Sequence, residues 1–265
     1  MTATRANVGR ITPARAVQDA MVLAWRNLLQ YPRVPAMLIF STIQPIMFVL
    51  LFRFVFGGAI SVSEGVSYVD FLMPGIFIQT VVFGSLNTGI GLAYDLKGGM
   101  VDRFRSLPMA RSAVLAGRTT SDIVRNSFVI FLMVIVGYLV GYRFHGNILE
   151  AVIALAVALF FGHAFSWISA FFALTIRDPE SVEAASFVWV FPLTFASSAF
   201  VPVESMPGWL QGWASINPVS ITVDAVRSLS LGTPVWADVG KAILWIAVLL
   251  GIFAPLAVSK FRKLT

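Results

Sequence analysis

The stretch KGGMVDRFRSLPMARS, residues 97–112, is a basic segment inside a strongly apolar chain. Its lysine and three arginines cannot lie in the hydrocarbon core of a bilayer at a tolerable cost, so the chain must leave the membrane here. The stretch predicts a short amphipathic helix outside the membrane, which Pro108 would end. Four of its apolar residues are spaced i, i+1, i+4 and i+7, on one helical face: Met100, Val101, Phe104 and Leu107.

The composition is that of an integral membrane protein. Of the 265 residues, 58% are hydrophobic and 12% are charged, whereas soluble domains carry about 25% charged residues. We interpret the net charge of +6 as topology signals that face anionic lipid and cytoplasm. The lipid bilayer is therefore an expected partner and nucleic acid is not. The chain has no cysteine, which excludes disulfides and thiolate metal sites.

Six apolar stretches approach the length of about 20 residues that a membrane-spanning helix needs. The fifth is short for a span, and a continuation of its helix into the following segment would lengthen it. The sequence therefore predicts an all-α integral membrane fold with six transmembrane helices. The stretches cover residues 35–56, 71–93, 122–142, 148–175, 184–200 and 239–259.

Basic residues are distributed unequally between the two sides of these spans. One side carries five arginines in the N-terminal arm, six basic residues in the 94–125 segment, Arg177, and three basic residues in the C-terminal tail. The other side carries Arg143, Arg227 and Lys241. This bias predicts a multi-pass protein of the plasma (inner) membrane with its N- and C-termini in the cytoplasm.

Residues 1–33 are interpreted as a cytoplasmic arm that precedes a membrane domain at 34–265. The arm predicts an amphipathic helix lying in the membrane interface, and the alternative is a cytosolic helix packed on a soluble partner. Its polar arc holds Arg15, Asp19, Arg26 and Gln30. Its apolar arc holds Val17, Met21, Ala24 and Leu28, with Trp25 at its flank.

The segment 201–232 is too polar and too interrupted by proline and glycine to span, yet too apolar for an open loop. We expect two external re-entrant half-helices, the first capped by Ser205 and the second at about 219–230. In the second, Asp224 and Arg227 fall at i and i+3. Irregular backbone at membrane depth is tolerated only when it packs in protein or lines a wet cavity. The segment is therefore either a lid over an exit path or a structural plug.

Polar residues inside the predicted spans are candidates for a transport path, since each is costly to place in lipid. Arg53 is expected to extend outward from the end of the first span. His163 is expected to form a hydrogen bond between helices rather than to relay protons. The possible path residues are Gln44, Gln79 and Asn87.

Taken together, these features resemble the permease subunit of ABC-2-type exporters, and most closely that of daunorubicin-resistance-type drug exporters. The resemblance covers nearly the whole chain. It is most specific in GGMVDRFRSLPMARSAVLAGR, residues 98–118, and in VPVESMPGW, residues 201–209, followed by NPVSITVDAVR, residues 217–227. It implies that the loop 94–121 carries a cytoplasmic coupling helix that inserts into a separate ATPase subunit, with a smaller second contact at 177–183.

The resemblance also implies roles for individual residues. It implies two ABC ATPase subunits per complex and a second permease, either a copy of this chain or a related one. The implied ATPase-coupling residues are Met100, Val101, Asp102, Arg103, Phe104, Arg105, Leu107, Pro108, Arg177, Asp178 and Glu180. The implied extracellular gate comprises Pro202, Trp209, Trp213, Asn217, Pro218 and Arg227.

The sequence contains no GxxxxGK[ST] string, the loop whose backbone amides and lysine hold the phosphates of ATP. We therefore expect no catalytic, cofactor-binding or metal site in this chain, and expect ATP and magnesium to be bound by the partner ATPase. An intramembrane enzyme is disfavoured, because the chain has two histidines and no carboxylate well inside a predicted span.

The expected function is export of amphipathic drugs, antibiotics or lipids by an ATP-driven complex. One alternative lies within the same family, namely export of a polysaccharide or glycolipid. The alternative of a different class is an ion-coupled secondary transporter, which would show internal repeats and broken helices at matched positions.

Overall fold

The computed structural model describes residues 13–29, 35–60, 62, 65–100 and 111–263. Throughout these residues the regular secondary structure is helical. A π-helical turn (Leu51–Phe56) continues the second helix, and a 3-10 turn (Val203–Ser205) precedes the seventh. The described chain contains nine α-helices: α1 (Pro13–Leu28), α2 (Pro35–Leu50), α3 (Tyr68–Lys97), α4 (Arg111–Leu139), α5 (Ile148–Ile176), α6 (Pro179–Phe195), α7 (Gly208–Ile216), α8 (Pro218–Ser230) and α9 (Trp236–Arg262).

Four of the described helices are long and apolar enough to cross a membrane, namely α3, α4 from Ala113 onward, α5 and α9. They overlap four of the predicted spans. The first predicted span contributes a shorter apolar stretch, Thr42–Phe56, and α6 has 17 residues. The all-helical membrane fold is confirmed. Four of the six predicted spans correspond to helices that are long and apolar enough to cross a membrane.

The fifth predicted span, 184–200, is displaced toward the N-terminus in the structure, where it corresponds to α6 (Pro179–Phe195). Its end is fixed by Asn217, whose side-chain amide donates hydrogen bonds of 2.8 and 3.0 Å to the carbonyls of Leu193 and Ala196. These bonds satisfy carbonyls at the helix end that have no partner within the helix. The helix of the fifth span therefore ends at Phe195 and does not itself continue into the following segment.

The central helix of the bundle is α3, which packs against α4, α5, α6 and α8. In the most apolar segment of α3, 83% of the segment is buried inside the protein, whereas only 22% of the corresponding segment of α9 is buried. Glycines allow this close packing. A Cβ added at Gly75 would lie 2.0 Å from the Ala199 carbonyl oxygen, and one added at Gly89 would lie 2.8 Å from that of Ser169. Residues on α3 therefore face protein rather than lipid.

The N-terminal amphipathic helix is present as α1, and it packs along α4. The contact is made by buried Leu23 and Ala24, and it is close because a Cβ added at Gly117 of α4 would lie 2.6 Å from the Ala20 carbonyl oxygen. Met21, on the predicted apolar arc, is 65% exposed. The helix thus packs on α4 and leaves part of its apolar arc open; its place in the membrane interface stays a prediction.

The two expected half-helices are α7 and α8, and α8 matches the predicted range closely. Ser205 does not cap α7, however. It ends the preceding 3-10 turn, and its hydroxyl donates to the Pro202 carbonyl at 2.7 Å. Pro207 separates Ser205 from the helix and occupies the N-cap position without a side-chain hydrogen bond. The expected capping role of Ser205 is therefore wrong.

Candidate functional site

A polar cavity of about 140 Å³ lies between α2, α3, α4 and α6. The structure here brings together polar side chains that are far apart in the sequence. The residues predicted to lie on a path all line this cavity: Gln44, Gln79 and Asn87. Four further polar residues line it: Thr80, Arg125, Asn126 and Glu183. Its apolar wall includes Phe83 and Phe187.

Two buried side chains in the cavity wall have polar atoms that no other described residue satisfies. These atoms are Oε1 of Gln79 and Nδ2 of Asn126, in side chains that are 3% and 2% exposed. A buried polar group without a partner costs about 1–3 kcal/mol, and such groups are rare in folded proteins. One atom is an acceptor and the other a donor. The cavity is therefore suited to a molecule with both kinds of polar group.

A buried ion pair lies beside the cavity on α4. Arg125 Nη1 lies 3.3 Å from Asp122 Oδ1, and both side chains are 4% exposed. The Thr88 hydroxyl of α3 donates to Asp122, and Arg125 Nη2 donates to the Gly84 carbonyl at 2.5 Å. Because each charge has an opposite charge and further hydrogen bonds, the pair is tolerated inside the bundle.

The position of this pair corrects the expectation that no carboxylate lies well inside a span. The expected third span began at Asp122, whereas α4 begins at Arg111, about three turns earlier. Asp122 and Arg125 are thus interior residues of a long helix. Arg118, four residues before Asp122 on the same helix, forms an ion pair with Asp95 of α3.

Two arginines of α4 pack against two glycines of α3 that have the same spacing of seven residues. Arg118 lies across Gly91, where an added Cβ would come within 1.7 Å of its Nη2 atom. Arg125 lies beside Gly84, where an added Cβ would come within 3.2 Å of its Nη2 atom. Small residues let helices approach closely, and here they let two charged side chains lie between helices.

The basic end of the bundle, where α3 ends and α6 begins, joins the two segments predicted to contact an ATPase. Lys97 Nζ lies 3.3 Å from Asp178 Oδ1. The backbone N–H of Ser181, then its hydroxyl, and then Lys97 donate hydrogen bonds that hold the pKa of Asp178 below its usual range. The carboxylate therefore stays ionised at neutral pH and links the two segments.

The structure describes only part of the predicted coupling surface. Arg177 and Glu180 are exposed beside Asp178, and Arg177 ends α5 in the left-handed region with φ of 69°. Met100 follows the glycine turn that ends α3. The remaining predicted coupling residues lie outside the described residues, and their amphipathic helix stays a prediction: Val101, Asp102, Arg103, Phe104, Arg105, Leu107 and Pro108.

The opposite end of the bundle, which we call the half-helix end, is held by Arg227 of α8. Its Nε donates to the Phe71 carbonyl at 2.9 Å, its Nη2 to the Ser198 carbonyl at 2.6 Å, and its Nη1 to Asp224 Oδ1 at 2.7 Å. The guanidinium also lies 3.7 Å from the centre of the Phe71 ring. Arg227 thus joins α8 to the ends of α3 and α6.

The other residues predicted to form a gate lie around the same end. Asn217 accepts the Val219 backbone N–H at 2.9 Å and so caps α8, whose first residue is Pro218. Pro202 precedes the 3-10 turn. Trp209 and Trp213 are 78% and 42% exposed on α7. That this end opens as a gate stays a prediction. The contacts of Arg227 and Asn217 are the ones that opening would have to break.

The sequence model of the ABC-2 type transporter family matches residues 18–231 of the chain. The chain belongs to the ABC-2 transporter family. It is 37% identical to the daunorubicin resistance ABC transporter permease protein DrrB1 of Streptomyces coeruleorubidus over 253 residues, which cover 95% of this chain and 89% of the relative. It is 26% identical to the probable doxorubicin resistance ABC transporter permease protein DrrC of Mycobacterium tuberculosis, covering 94% and 90%.

A third relative is the putative transport permease ycf38 of Cyanophora paradoxa, 30% identical over 221 residues that cover 80% of this chain and 74% of the relative. The resemblance drawn from the sequence is thereby confirmed. All three relatives are named as permeases, and the apolar helices of this ABC-2 chain are those of an integral membrane protein.

Within this ABC-2 protein, His163 bridges two helices as expected. Its Nδ1 donates to the Thr119 carbonyl of α4 at 3.2 Å, because its Nε2 accepts the Trp167 indole N–H at 3.2 Å. Arg125 was predicted at the cytoplasmic edge of the third span and Glu183 at the end of the second ATPase contact, 177–183, and Asn126 was not singled out. The matched seven-residue spacing of Gly84, Gly91, Arg118 and Arg125 was the signal in the sequence for the buried arginine.

Proposed function

We propose that this chain is the membrane-spanning permease of an ATP-driven exporter that moves amphipathic drugs, antibiotics or lipids out of the cell. The observation that carries the proposal is the cavity, whose lining combines Gln79 and Asn126, each with an unsatisfied buried polar atom, with the aromatic rings of Phe83 and Phe187. Such a mixture suits a ligand with both polar and apolar parts. The names of two relatives, which refer to daunorubicin and doxorubicin resistance, support the same class of substrate.

The proposed topology has six spans in the plasma membrane, with both termini in the cytoplasm. α2 with its π-helical turn covers residues 35–56, which is the length that a span needs. α6 is shorter, and it is continued outward by the segment that Asn217 holds against its end. The basic end of the bundle then faces the cytoplasm, the half-helix end faces outward, and α1 lies along the cytoplasmic interface.

The proposed energy source is a pair of ABC ATPase subunits, which bind ATP and magnesium and contact the loop 94–121 of two permeases. Closure of the ATPases on ATP would move the coupling helices together with α2, α3 and α6. The Lys97–Asp178 pair supports the joint movement of α3 and α6, since it connects the two cytoplasmic contacts. The ATPases would drive the permease from one conformation to the other because they bind the two conformations with different affinities.

The proposed extracellular gate is the half-helix end. Its closed state would be held by the contacts of Arg227 and Asn217, which connect α8 to α3 and α6. Outward opening would separate these contacts. The same contacts would belong to a permanent plug if the segment does not move, and transport assays on Arg227 variants distinguish the two roles.

The test is purification of the tagged chain from its native membranes in mild detergent. We expect an ATPase of the ABC class to co-purify in stoichiometric amount, and Phe104→Asp to abolish this while the chain still inserts. Ser106→Asp, on the opposite face of the same predicted helix, is the matched control and should retain the ATPase. A wild-type chain that purifies alone and moves substrate with a proton gradient would overturn the proposal in favour of a secondary transporter.

A further inference from the structure

A second cavity, of about 130 Å³, lies between α3, α4, α5 and α8 near the half-helix end. It shares no lining residue with the polar cavity described above. Three alanines on one face of α5 leave space that larger side chains would fill, and they are spaced i, i+3 and i+7: Ala151, Ala154 and Ala158. The second cavity is therefore a separate feature with its own chemistry.

Hydrocarbon covers nearly the whole wall of the second cavity. The two buried hydroxyls in this wall, on Tyr142 and Ser230, lie 2.6 Å apart and form a hydrogen bond with each other. The cavity thus offers no unsatisfied polar group to a ligand, in contrast to the first cavity. Apolar cavities of about this size stay free of water and bind a molecule about as large as benzene. The wall is suited to a hydrocarbon segment of about six carbons.

The second cavity reaches the surface of the bundle between α4 and α5. Tyr138 and Leu155 line it and are 43% and 38% exposed. Large apolar side chains nearby on the same helices are exposed as well, among them Leu139 and Val152. In an integral membrane protein the hydrocarbon outside such an opening is the acyl chain of a lipid. An acyl chain that enters the cavity gains dispersion contacts which an empty cavity lacks.

One arginine lies beside the opening, in the loop that follows α4. Arg143 lies between Tyr142 and Phe144, which both line the cavity. Its Nη1 donates to the carbonyls of Tyr138 and Tyr142 at 2.9 and 2.7 Å. Its guanidinium carbon lies 5.3 Å from the centre of the Tyr138 ring. Tyr138 thus lines the opening and also positions the guanidinium, at a helix end where tyrosine and arginine are typical of lipid headgroup level.

The charge of Arg143 is not neutralised within the described chain. None of the ion pairs found there includes it, and its Nε and Nη2 donate no hydrogen bond to a described residue. Two carboxylates of this end accept backbone N–H groups instead, Asp70 from Arg143 and Glu150 from Asn147, each at 2.8 Å. A guanidinium with free N–H groups matches the geometry of a phosphate.

We propose that the second cavity holds part of one acyl chain of a resident anionic phospholipid, whose phosphate is bound by Arg143. The rest of the lipid lies in the bilayer. Selectivity comes from the headgroup, because hydrocarbon gains little on moving from lipid to an apolar protein surface. The unpaired positive charge of Arg143 favours a headgroup of net negative charge. This inference goes beyond the proposed export function and does not depend on it, since the lipid is a component of the protein and not its cargo.

The bound lipid connects α8 to α4 and α5. Val226 and Ser230 of α8 line the second cavity, and Arg227, which holds the half-helix end, follows Val226 directly. An occupied cavity therefore gives α8 packing contacts beside its most buried charge. Occupancy stabilises α8 in its described position, so added lipid should raise the unfolding midpoint of the protein.

The test uses the full-length chain, purified in mild detergent with the subunits that accompany it. The probe is a phosphatidylglycerol that carries a photoreactive diazirine in one acyl chain, and mass spectrometry maps the labelled residues. We expect labelling of the cavity wall on α4, α5 and α8. Unlabelled phosphatidylglycerol should compete with the probe. A diacylglycerol with the same chains should compete at least about fivefold less well, and glycerol 3-phosphate not at all.

Arg143→Gln should reduce labelling of the cavity wall about fivefold and abolish the rise in unfolding midpoint on addition of phosphatidylglycerol. Its matched control is Arg53→Gln, an exposed arginine whose guanidinium also lies near an aromatic ring but away from the cavity. Ala154→Leu and Ala158→Leu fill the cavity and should also reduce labelling. Ala156→Leu, on the same helix but outside the cavity wall, should not.

Four results would overturn the proposal. Wild-type labelling in Arg143→Gln and in the cavity-filling variants would show that the cavity does not hold the lipid. Arg143 is exposed, so its variant decides the matter even if a leucine variant does not fold. Equal competition by diacylglycerol would mean contact with hydrocarbon alone, and competition by glycerol 3-phosphate would mean a site for free phosphate. Loss of the probe from the wall on addition of ATP would make the lipid a cargo.

Discussion

The two ends of this bundle are held together by contacts of different strength. At the half-helix end, Arg227 has a side chain that is 10% exposed and binds carbonyls of two other segments. At the basic end, Lys97 and Asp178 form a single pair with side chains 64% and 46% exposed. Exposed pairs contribute little because water and salt screen them, whereas buried networks are costly to break. The comparison indicates a firmly held half-helix end and a more compliant basic end.

The largest expected effect is that of Arg227→Ala. It leaves the Phe71 and Ser198 carbonyls without their donor and Asp224 without its cation, so we expect a loss of about 3 kcal/mol in unfolding free energy. Thermal unfolding of the purified protein in detergent measures it, with Lys241→Ala at an exposed pair as control. A variant as stable as the control would show that Arg227 does not hold this end.

A second effect, of about 1–3 kcal/mol, is expected for Gly75→Ala. The added Cβ would lie 2.0 Å from the Ala199 carbonyl oxygen, so α3 and the segment after α6 must move apart. Gly240→Ala is the matched control, since an added Cβ there meets nothing within 4 Å. The unfolding midpoint should fall below that of the wild type for Gly75→Ala and rise above it for Gly240→Ala, because alanine stabilises an unhindered helix position. Equal midpoints would mean that the close approach at Gly75 is unimportant.

Asn217→Ala should have a smaller effect, about 1–2 kcal/mol. The change removes the cap of α8 and the two bonds that end α6. Asn217→Asp separates these roles, because a carboxylate still caps α8 but cannot donate to Leu193 and Ala196. If the Ala and Asp variants have the same lowered unfolding midpoint, the bonds to α6 account for the effect. If the Asp variant has the midpoint of the wild type, the cap of α8 accounts for it.

The smallest effect on stability is expected for Lys97→Ala at the basic end. We expect no measurable change in the unfolding midpoint, but a reduced stimulation of the partner ATPase by substrate, since α3 and α6 lose their connection. Because the pKa of Asp178 is lowered in the folded chain, the pair persists above the ordinary carboxyl pKa and is lost only as the pH falls into the acid range. A clear destabilisation at neutral pH would contradict the contrast between the two ends.

The sequence predicted the helices of the fold well, because uninterrupted apolar stretches leave the backbone few alternatives in a membrane. It also indicated Gln44, Gln79 and Asn87 one by one, through the cost of each in lipid. It did not show that they share a cavity, since this depends on contacts between four helices. Arg125 was placed at the cytoplasmic edge of the third span rather than in the interior of its helix, because hydropathy counts its charge but not the carbonyl of Gly84 that accepts from it.

Aromatic content was visible in the sequence, but its arrangement was not. The two i, i+4 stripes of phenylalanine can be read within α2 and α6, whereas the contact of Phe195 with Phe48 joins residues far apart in the chain. The end of α6 was missed for the same reason, since Asn217 fixes it from another helix. Distant side-chain partners, rather than local patterns, decided each of these features.

The link between α5 and α6 consists of two residues, Arg177 and Asp178. Two residues reach about 7 Å at most, so α6 has no slack with which to slide along its neighbour. It is left with tilting about a fixed pivot at the basic end of the bundle. A small rotation there is magnified with distance, and it is greatest at Phe195, where α6 meets α2. Spin-label distances from α5 should accordingly change most at Phe195 and least beside Asp178.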